Sequence, residues 1–309
     1  MTDFTLRQLE YFVAAVETAS ITAAAERCYA SQGAASMAIG QLEKATGAPL
    51  LVRGGSRAVV PTPAGQEFLV HARDILDRAE EARDAVSESL DALRGTLRVG
   101  VSTTLSPRLV PILAAHFTTE HPQVDLQLIE RAPHELQEQV LGGRVSLAFL
   151  YGLQAEEGLT ITEVAPVQLH LILPAGHRLA GEHSVWLRDV VEEPAILLDV
   201  PPTADRMTAI AESVGLTLDV RWRSANMDTI RSLVAAGLGF SFANSIPATG
   251  AAYSGGSVVY RPVADDIPRN YIVAATLPGR VPRRVQTAID LVTATESPPP
   301  LPAPTSVPR

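Results

Sequence analysis

The chain begins with apolar residues at helical spacing. Leu6, Leu9, Phe12, Val13 and Val16 recur three or four positions apart, with polar residues between them. This spacing places the apolar side chains on one face of a helix. The sequence therefore predicts an amphipathic helix at the start of the chain.

Two short helices that meet at a turn are predicted next. Ser20 or Thr22 can cap a helix from Ala23 to Cys28, because a side-chain oxygen there accepts from the unpaired N–H groups of the first turn. A third helix runs from about Ser31 to Ala45 and ends at Gly47, with inward positions at Ala35, Ile39 and Leu42. This pair of helices predicts a helix-turn-helix unit.

A small hairpin and a long helix follow. Residues 50–53 and 58–60 are strand-like and flank a Gly-rich turn, which predicts a wing that carries Arg53 and Arg57. Thr62 and Pro63 are suited to begin a helix. The sequence predicts that this helix runs to Arg94 with an apolar stripe along one face. At 1.5 Å per residue this helix would reach roughly 45 Å, which favours pairing with a second chain over packing within one chain.

The pattern changes to alternating strands and helices after Gly95. Strands are predicted at 96–101, 124–129 and 145–150, with helices at 109–117 and 135–141 between them. This repetition favours parallel strands with right-handed crossovers. Further strands are predicted at 170–173, 195–198, 239–242 and 271–275, and further helices at 205–214, 228–236 and 283–293.

Composition and charge limit the function classes. The 309 residues are 46% hydrophobic with a formal net charge of −9, which suits a folded protein whose contact with DNA, if any, is local. A single cysteine, Cys28, excludes an internal disulfide and is read as a small buried apolar residue, with a redox sensor as the alternative. The proline-rich residues 296–309 predict an extended or disordered tail.

Several other classes find no support in the sequence. The start of the chain lacks a secretory signal and no stretch is suited to span a membrane, so we expect a soluble cytoplasmic protein. Neither a phosphate-binding loop nor a nucleophile elbow is found, so no enzyme and no catalytic residue is predicted. The seven histidines lack metal-ligand spacing, and we expect neither a metal nor another cofactor.

The first 65 residues resemble the amino-terminal signature of LysR-type transcriptional regulators. The matching positions are Leu6-Arg7-Gln8-Leu9-Glu10-Tyr11-Phe12, Ala23-Ala24-Ala25-Glu26-Arg27, Ser31-Gln32, Ser36, Ile39, Leu42-Glu43, Gly47, Leu50-Leu51-Val52-Arg53 and Thr62-Pro63-Ala64-Gly65. The remainder resembles the effector-binding domain of the same family, which looks like a periplasmic binding protein.

The resemblance implies a domain organisation. It predicts a winged helix-turn-helix domain at 1–62, a dimerising linker helix at 63–94 and an α/β effector-binding domain at 95–295. Within that domain, 95–164 with 268–295 would form one subdomain and 165–267 the other.

The resemblance also implies a recognition helix that begins at Ser31 and enters the major groove. Gln32 can make paired hydrogen bonds with a base edge, and Ala34 can contact a thymine methyl group. Arg53 and Arg57 would contact the backbone or the minor groove. This chain departs from the family pattern at Gly33, where proline is frequent, and at Met37-Ala38, where a basic residue is common. The predicted DNA-contacting residues are Ser31, Gln32, Gly33, Ala34, Ser36, Met37, Arg53 and Arg57.

Ligand-binding residues are expected where loops leave the carboxyl ends of strands. Hydroxyl groups and helix N-termini there suit a polar or anionic effector. Ordinary helix capping is the alternative for these same serines and threonines. The candidates at such positions are Ser102, Thr103, Thr104, Pro201, Pro202, Thr203 and Asn226. The resemblance to the family places the effector between the two subdomains, and this implies Arg131, Ala132 and Tyr151 as further candidates.

The expected partners are an imperfectly palindromic DNA duplex, a small-molecule effector and further copies of the chain, as a dimer or a tetramer made of two dimers. RNA polymerase remains open as a further partner. Two alternatives also remain open. One is a regulator with a degenerate cavity that needs no effector, and the other is a solute-binding module whose helical part serves assembly rather than DNA binding.

Overall fold

A computed structural model describes residues 3–53, 59–87 and 93–296. Contacts group the chain into two units. The first comprises Met1–Thr96 with Gln123–Asp125 and Leu141–Val145, and the second comprises Leu97–Pro122, Leu126–Val140 and Ser146–Arg309. Each unit has its own hydrophobic core.

Three helices form the amino-terminal core: α1 (Leu6–Glu17), α2 (Ile21–Arg27) and α3 (Gln32–Thr46). The predicted caps are present, because Ser20 accepts from the N–H of Ala23 and Gly47 ends α3 in the left-handed conformation. The predicted inward residues are completely buried, as are Leu9 and Phe12 of α1. The helix-turn-helix prediction is thus confirmed.

The wing strands β1 (Leu51–Arg53) and β2 (Val59–Pro61) pair antiparallel, as predicted. Helix α4 (Pro63–Ser87) begins at the predicted proline and would be about 38 Å long at 1.5 Å per residue. The predicted end at Arg94 is wrong, because Leu93 and Arg94 are outside any helix and strand β3 starts at Gly95. Residues 88–92 lie outside the described residues.

A five-stranded sheet organises the first part of the second unit. It consists of β3 (Gly95–Ser102), β4 (Val124–Arg131), β5 (Leu147–Tyr151), β6 (Thr160–Val167) and β12 (Asn270–Thr276), in the order β4-β3-β5-β12-β6. Strands β3 and β5 are parallel, as the alternating pattern predicts. Strand β12 runs antiparallel to both β5 and β6, so the sheet is mixed. Helices α5 (Ser106–Glu120), α6 (Pro133–Leu141) and α9 (Arg283–Glu296) accompany these strands.

Residues 170–262 form two smaller sheets. Strand β7 (His170–Pro174) lies between β10 (Ser241–Ala243) and β11 (Val258–Pro262), and both pair with it antiparallel. Strands β8 (Ala195–Leu198) and β9 (Val220–Ser224) are parallel. Helices α7 (Thr203–Ser213) and α8 (Met227–Ala235) follow β8 and β9. Buried residues from these elements, including Phe240 and Phe242, form a core of their own.

The structure corrects the sequence-based assignment at two further places. Strands β6, β9 and β11 were not predicted, because most of their residues are half-buried or exposed, so that their sequences lack a long apolar run. Glu296 was predicted to begin the tail, but it is the last residue of α9 and is buried, with its carboxylate paired to Arg108. Residues 297–309, the rest of the predicted tail, lie outside the described residues.

Candidate DNA interface and ligand cavity

The amino-terminal end of α3 presents most of the predicted DNA-contacting residues to solvent. Gln32, Gly33 and Ala34 are exposed, and the Met37 side chain is 63% exposed. Ser36 is half-buried. Ser31 is exposed and caps the helix, because its hydroxyl accepts from the N–H of Ala34 at 3.2 Å. The Ser31 hydroxyl satisfies one N–H group of the first turn. The other N–H groups of this turn have no partner within the helix and suit an anion.

Glu43 fixes α3 relative to the wing. Its Oε1 accepts from the backbone N–H groups of Leu50 and Leu51, at 2.9 and 3.1 Å. Because strand β1 begins at Leu51, this carboxylate connects α3 to the start of the wing. Arg53 is the last residue of β1, opposite Val59. Arg57 lies outside the described residues, so its predicted contact stays a prediction.

The turn before α3 is fixed from the first helix. The guanidinium of Arg7 donates to the carbonyl of Cys28, pairs with Glu10 at 2.7 Å, and lies over the ring of Tyr11. The pair with Glu10 raises the pKa of Arg7. These contacts tie the turn before α3 to α1. Burial raises the pKa of the Cys28 thiol, which does not favour the reactive thiolate form.

A cavity of about 1030 Å³ lies within the second unit. It is at the upper end of the range that small-molecule sites span, roughly 300 to 1000 Å³. Its wall combines the carboxyl ends of strands with the starts of helices, as in other α/β proteins that bind ligands. The segments that line it come from α5, the turn after β5, the link from β6 to β7, the ends of β8 and β10, α7 and α8.

Five of the ten predicted ligand-binding residues line this cavity. Thr103 and Thr104 follow β3, and Tyr151 is the last residue of β5. Thr203 begins α7, and Asn226 caps α8, where its Oδ1 accepts from the N–H groups of Asp228 and Thr229. The structure thus brings together residues that are up to 123 positions apart in the sequence, Thr103 and Asn226.

The other five predicted residues do not line the cavity. Ser102 is completely buried beneath the turn that follows β3. Arg131, the last residue of β4, has an exposed side chain that pairs with Glu135 of α6 at 3.8 Å. Ala132 and Pro202 instead contribute backbone to helix starts, since their carbonyls accept from the N–H groups of Leu136 and Arg206. Pro201 precedes Pro202 and is not among the lining residues either.

Two arginines that the sequence analysis missed face the cavity. Arg108 donates from Nε to the buried carboxylate of Glu296 at 2.8 Å. Arg231 pairs with Asp228 at 3.3 Å and donates to the carbonyls of Thr249 and Ala251, at 3.0 and 2.6 Å. Arg231 thereby fastens the segment between β10 and β11. Asp228 is the one carboxylate among the lining residues, and Glu296 pairs with Arg108 from outside the lining, so each of the two arginines has one carboxylate partner.

Gln154 is a further lining residue with an unusual environment. Its Nε2 donates to the Thr203 hydroxyl at 3.0 Å, and its Oε1 is buried without a hydrogen-bond partner among the described residues. The completely buried Gln137 holds the turn in place, because its amide bonds to the backbone of Gln154 and Glu156. A buried acceptor without a donor is costly, so this atom marks a polar point of the cavity wall.

Burial determines the protonation of two other lining residues. It lowers the pKa of His170, whose Nδ1 lies 2.8 Å from the carbonyl of Gln168. It raises the pKa of the Tyr151 hydroxyl, which therefore stays protonated at neutral pH. Both side chains are thus neutral hydrogen-bonding groups near pH 7. The charged side chains of the wall at neutral pH are therefore Arg108, Arg231 and Asp228.

The missed lining residues differ in whether a sequence signal could have identified them. Arg108 lies in the first turn of a helix directly after a predicted strand, which is the position where ligand-binding residues were sought. Gln154, His170 and Arg231 have no such signal, because only the pairing of distant strands brings them to one wall. Among the described residues, no cluster of histidine, cysteine, aspartate or glutamate suits a metal ion, and no helix could cross a membrane.

A winged helix-turn-helix joined to an α/β domain that encloses a cavity defines a DNA-binding transcription regulator. Comparison with protein families agrees over nearly the whole described chain. Residues 6–66 match the family described as "Bacterial regulatory helix-turn-helix protein, lysR family", and residues 91–296 match the "LysR substrate binding domain". The chain belongs to the LysR family, whose members are transcription regulators rather than enzymes.

Individual relatives give the same classification. The chain is 30% identical over 249 residues to a "Probable RuBisCO transcriptional regulator" of Synechocystis, covering 78% of this chain and 72% of the relative. It is 27% identical over 275 residues to the regulator OxyR of Escherichia coli, covering 89% and 90%. The crystal structure of HinK, a LysR family regulator from Pseudomonas aeruginosa, is similar with a TM-score of 0.62 and 31% identity, covering 95% and 99%.

Proposed function

We propose that α3 reads operator DNA in the major groove and that the residues at its amino-terminal end make the contacts. The observation that carries this proposal is the exposure of Gln32, Gly33, Ala34 and Met37 on a helix whose opposite face is buried. An exposed glutamine can make paired hydrogen bonds with adenine, and small or apolar side chains can contact thymine methyl groups. Ser31 and the half-buried Ser36 add hydroxyl groups on the same end.

The wing supplies the positioning contacts in this proposal. Arg53 and Arg57 contact phosphates beside the groove and carry no sequence information themselves. Residues 1–62 contain five basic and five acidic residues, so one module binds weakly. The chain therefore acts as a dimer or as a tetramer made of two dimers, through α4, on an imperfect palindrome. Its half-sites lie about one helical turn or a multiple of it apart.

A selection experiment tests the DNA proposal without knowledge of the operator. Full-length protein selects duplexes from a random pool, and its affinity for the selected sequence is compared with that for a random duplex of equal length. We expect Gln32→Ala to lower the preference about tenfold or more, since a paired base contact contributes about 1 to 3 kcal/mol. The control is Gln41→Ala, on the same helix, whose Oε1 accepts from Gln8 of α1.

The outcome separates the proposal from its rival. If Gln32→Ala prefers the selected duplex over the random duplex as strongly as the wild type does, the proposal that α3 reads the base sequence is contradicted. If the wild-type chain selects no sequence at all, the helical part serves assembly, as in a solute-binding module without DNA.

For the cavity, we propose a small effector with a carboxylate or another anionic group. The support is Arg108, whose side chain is 43% exposed although it pairs with Glu296, together with Arg231 and the hydroxyl groups of Thr103, Thr104 and Thr203. Arginine and hydroxyl groups recognise carboxylates through charge-assisted hydrogen bonds. Tyr151 and Asn226 complete the predicted set. Such a regulator acts in the cytoplasm, where it meets both DNA and metabolites.

Thermal denaturation with a panel of mono- and dicarboxylates and their neutral amides tests the ligand class. A ligand that binds only the folded state raises the Tm. We expect carboxylates to raise it and amides not to, with the shift lost in Arg108→Gln. The control is Arg131→Gln, an exposed arginine that does not line the cavity. No shift with any compound would favour a regulator that needs no effector.

We further propose that effector binding alters how the two parts of the effector domain close, and through this the pairing of dimers on DNA. Identical DNA footprints with and without saturating effector would contradict this coupling. Contact with RNA polymerase would then be a consequence of DNA geometry at the promoter.

The similarity to a "Hydrogen peroxide-inducible genes activator" suggests peroxide as a rival signal. A disulfide within one chain needs two cysteines, however, and these 309 residues contain one, in the DNA-binding domain.

A further inference from the structure

Tyr29 occupies a backbone position that normally belongs to glycine. The end of α2 is closed by two hydrogen bonds, from the N–H of Ala30 to the carbonyl of Ala25 at 2.8 Å and from the N–H of Tyr29 to the carbonyl of Glu26 at 3.0 Å. This is the Schellman pattern, whose first residue after the cap adopts the left-handed conformation. Tyr29 has φ of +54°. A side chain there is strained, and glycine is the usual choice.

The two hydrogen bonds account for the left-handed backbone, but nothing among the described residues accounts for a tyrosine side chain at this position. The Tyr29 side chain is 98% exposed, so it buries no area within its own domain. In the described part of the chain, one other residue that is not glycine has a positive φ. This is Ala19 with φ of +50°, whose carbonyl accepts from the N–H of Val59 in the wing at 3.0 Å. The conformation of Ala19 therefore serves the fold. The aromatic ring of Tyr29, in contrast, packs against no residue of its own domain that the structure describes.

The position of Tyr29 indicates its partner. It lies two residues before Ser31, the cap of α3, and thus at the end of the recognition helix that faces the DNA in the proposed function. The neighbouring carbonyl of Cys28 accepts from the guanidinium of Arg7, which fixes the turn. Helix starts and basic groups attract phosphates. Tyrosine is also one of the side chains that donate to phosphate oxygens.

We propose that the Tyr29 hydroxyl donates a hydrogen bond to a phosphate of the operator backbone beside the groove that α3 enters. The hydrogen-bonded turn fixes the backbone that carries the ring before DNA arrives, so little backbone freedom is lost on binding. The contact positions the protein and carries no base preference. The inference rests on the proposed placement of α3 in the groove.

Two substitutions separate the hydroxyl from the backbone. Tyr29→Phe keeps the ring and the turn and removes only the donor. We expect about a tenfold loss of affinity for DNA, because a hydrogen bond to a charged acceptor is a strong one. Tyr29→Gly removes the side chain and relieves the strain, so we expect a similar loss of affinity with an unchanged or higher Tm. Ala19→Gly is the matched control, since it relieves the same kind of strain away from α3.

The measurement uses the full-length chain with a duplex that it has selected from a random pool and with a random duplex of equal length. Equal losses on both duplexes in Tyr29→Phe would support a phosphate contact. A loss confined to the selected duplex would overturn the phosphate assignment, and unchanged affinity for both would overturn the inference altogether. If Gln32→Ala abolishes sequence preference while the Tyr29 variants bind normally, only the Tyr29 inference fails. If the wild type shows no DNA binding, the proposed function fails first.

Discussion

The side-chain amide of Gln154 donates a 3.0 Å hydrogen bond to the hydroxyl of Thr203. This bond connects the turn after β5 with the start of α7. The other amide atom, Oε1, is buried without a partner among the described residues. One satisfied and one unsatisfied atom in the same amide make this junction sensitive to any change. It also lies in the wall of the cavity.

Removal of the Thr203 hydroxyl alone should therefore lower the free energy of unfolding more than removal of both the hydroxyl and the Gln154 amide. We expect Thr203→Val to destabilise the chain by about 1 to 3 kcal/mol, because it leaves the buried Nε2 without an acceptor. The double variant Gln154→Met with Thr203→Val should regain most of this loss, since it buries no unpaired polar group. Urea denaturation of the single and double variants measures the difference. A double variant as unstable as the sum of the two single variants would contradict this account.

Glu17 connects two arginines of the amino-terminal domain that differ in burial. It pairs with Arg73 of α4 at 3.1 Å and with Arg27 of α2 at 2.7 Å, and the side chains of these arginines are 8% and 49% exposed. We expect Glu17→Gln to cost about 1 to 3 kcal/mol in unfolding free energy, because it removes a charged acceptor from a buried guanidinium. Arg27→Gln should cost at most about 1 kcal/mol, because exposed pairs contribute little. Equal costs in chemical denaturation would refute the distinction.

Gly65 and Gly33 should respond in opposite ways to alanine. A Cβ at Gly65 would lie 2.0 Å from the carbonyl oxygen of Leu50, whereas one at Gly33 would meet nothing within 4 Å. We expect Gly65→Ala to destabilise by about 3 kcal/mol, since the clash is with backbone. Gly33→Ala should stabilise by up to about 1 kcal/mol, because glycine is unfavourable in a helix. Thermal denaturation compares the two, and a tolerated Gly65→Ala would show that α4 does not need this close approach.

Burial of His170 should make the chain less stable in mild acid. Its pKa is lowered in the folded state, so the unfolded chain, with the ordinary pKa of 6.5, binds the proton more readily. As the pH falls through 6.5, the unfolded state gains protons first and stability decreases. We expect a smaller decrease between pH 7.5 and 5.5 in His170→Gln than in the wild type. Urea midpoints at the two pH values test this, and parallel decreases would assign the effect to other groups.

The sequence by itself determined the elements whose signals are local. The spacing of Ala35, Ile39 and Leu42 fixed the buried face of α3, and the caps at Ser31 and Gly47 fixed its ends to within a residue. Alternating strands and helices predicted the α/β domain, and the signature residues predicted the family. These features depend on neighbours within about four positions, which a linear pattern contains.

Only the tertiary structure decided which distant residues meet. Strand β12 returns between β5 and β6 in an antiparallel direction, although it follows them by more than a hundred positions. That pairing and the second set of strands bring Gln154, His170 and Arg231 to one cavity wall, while Arg131 turns away to pair with Glu135. Strand partners are selected by packing and hydrogen bonding between segments remote in sequence. A period along the chain gives the face of an element but not its neighbour.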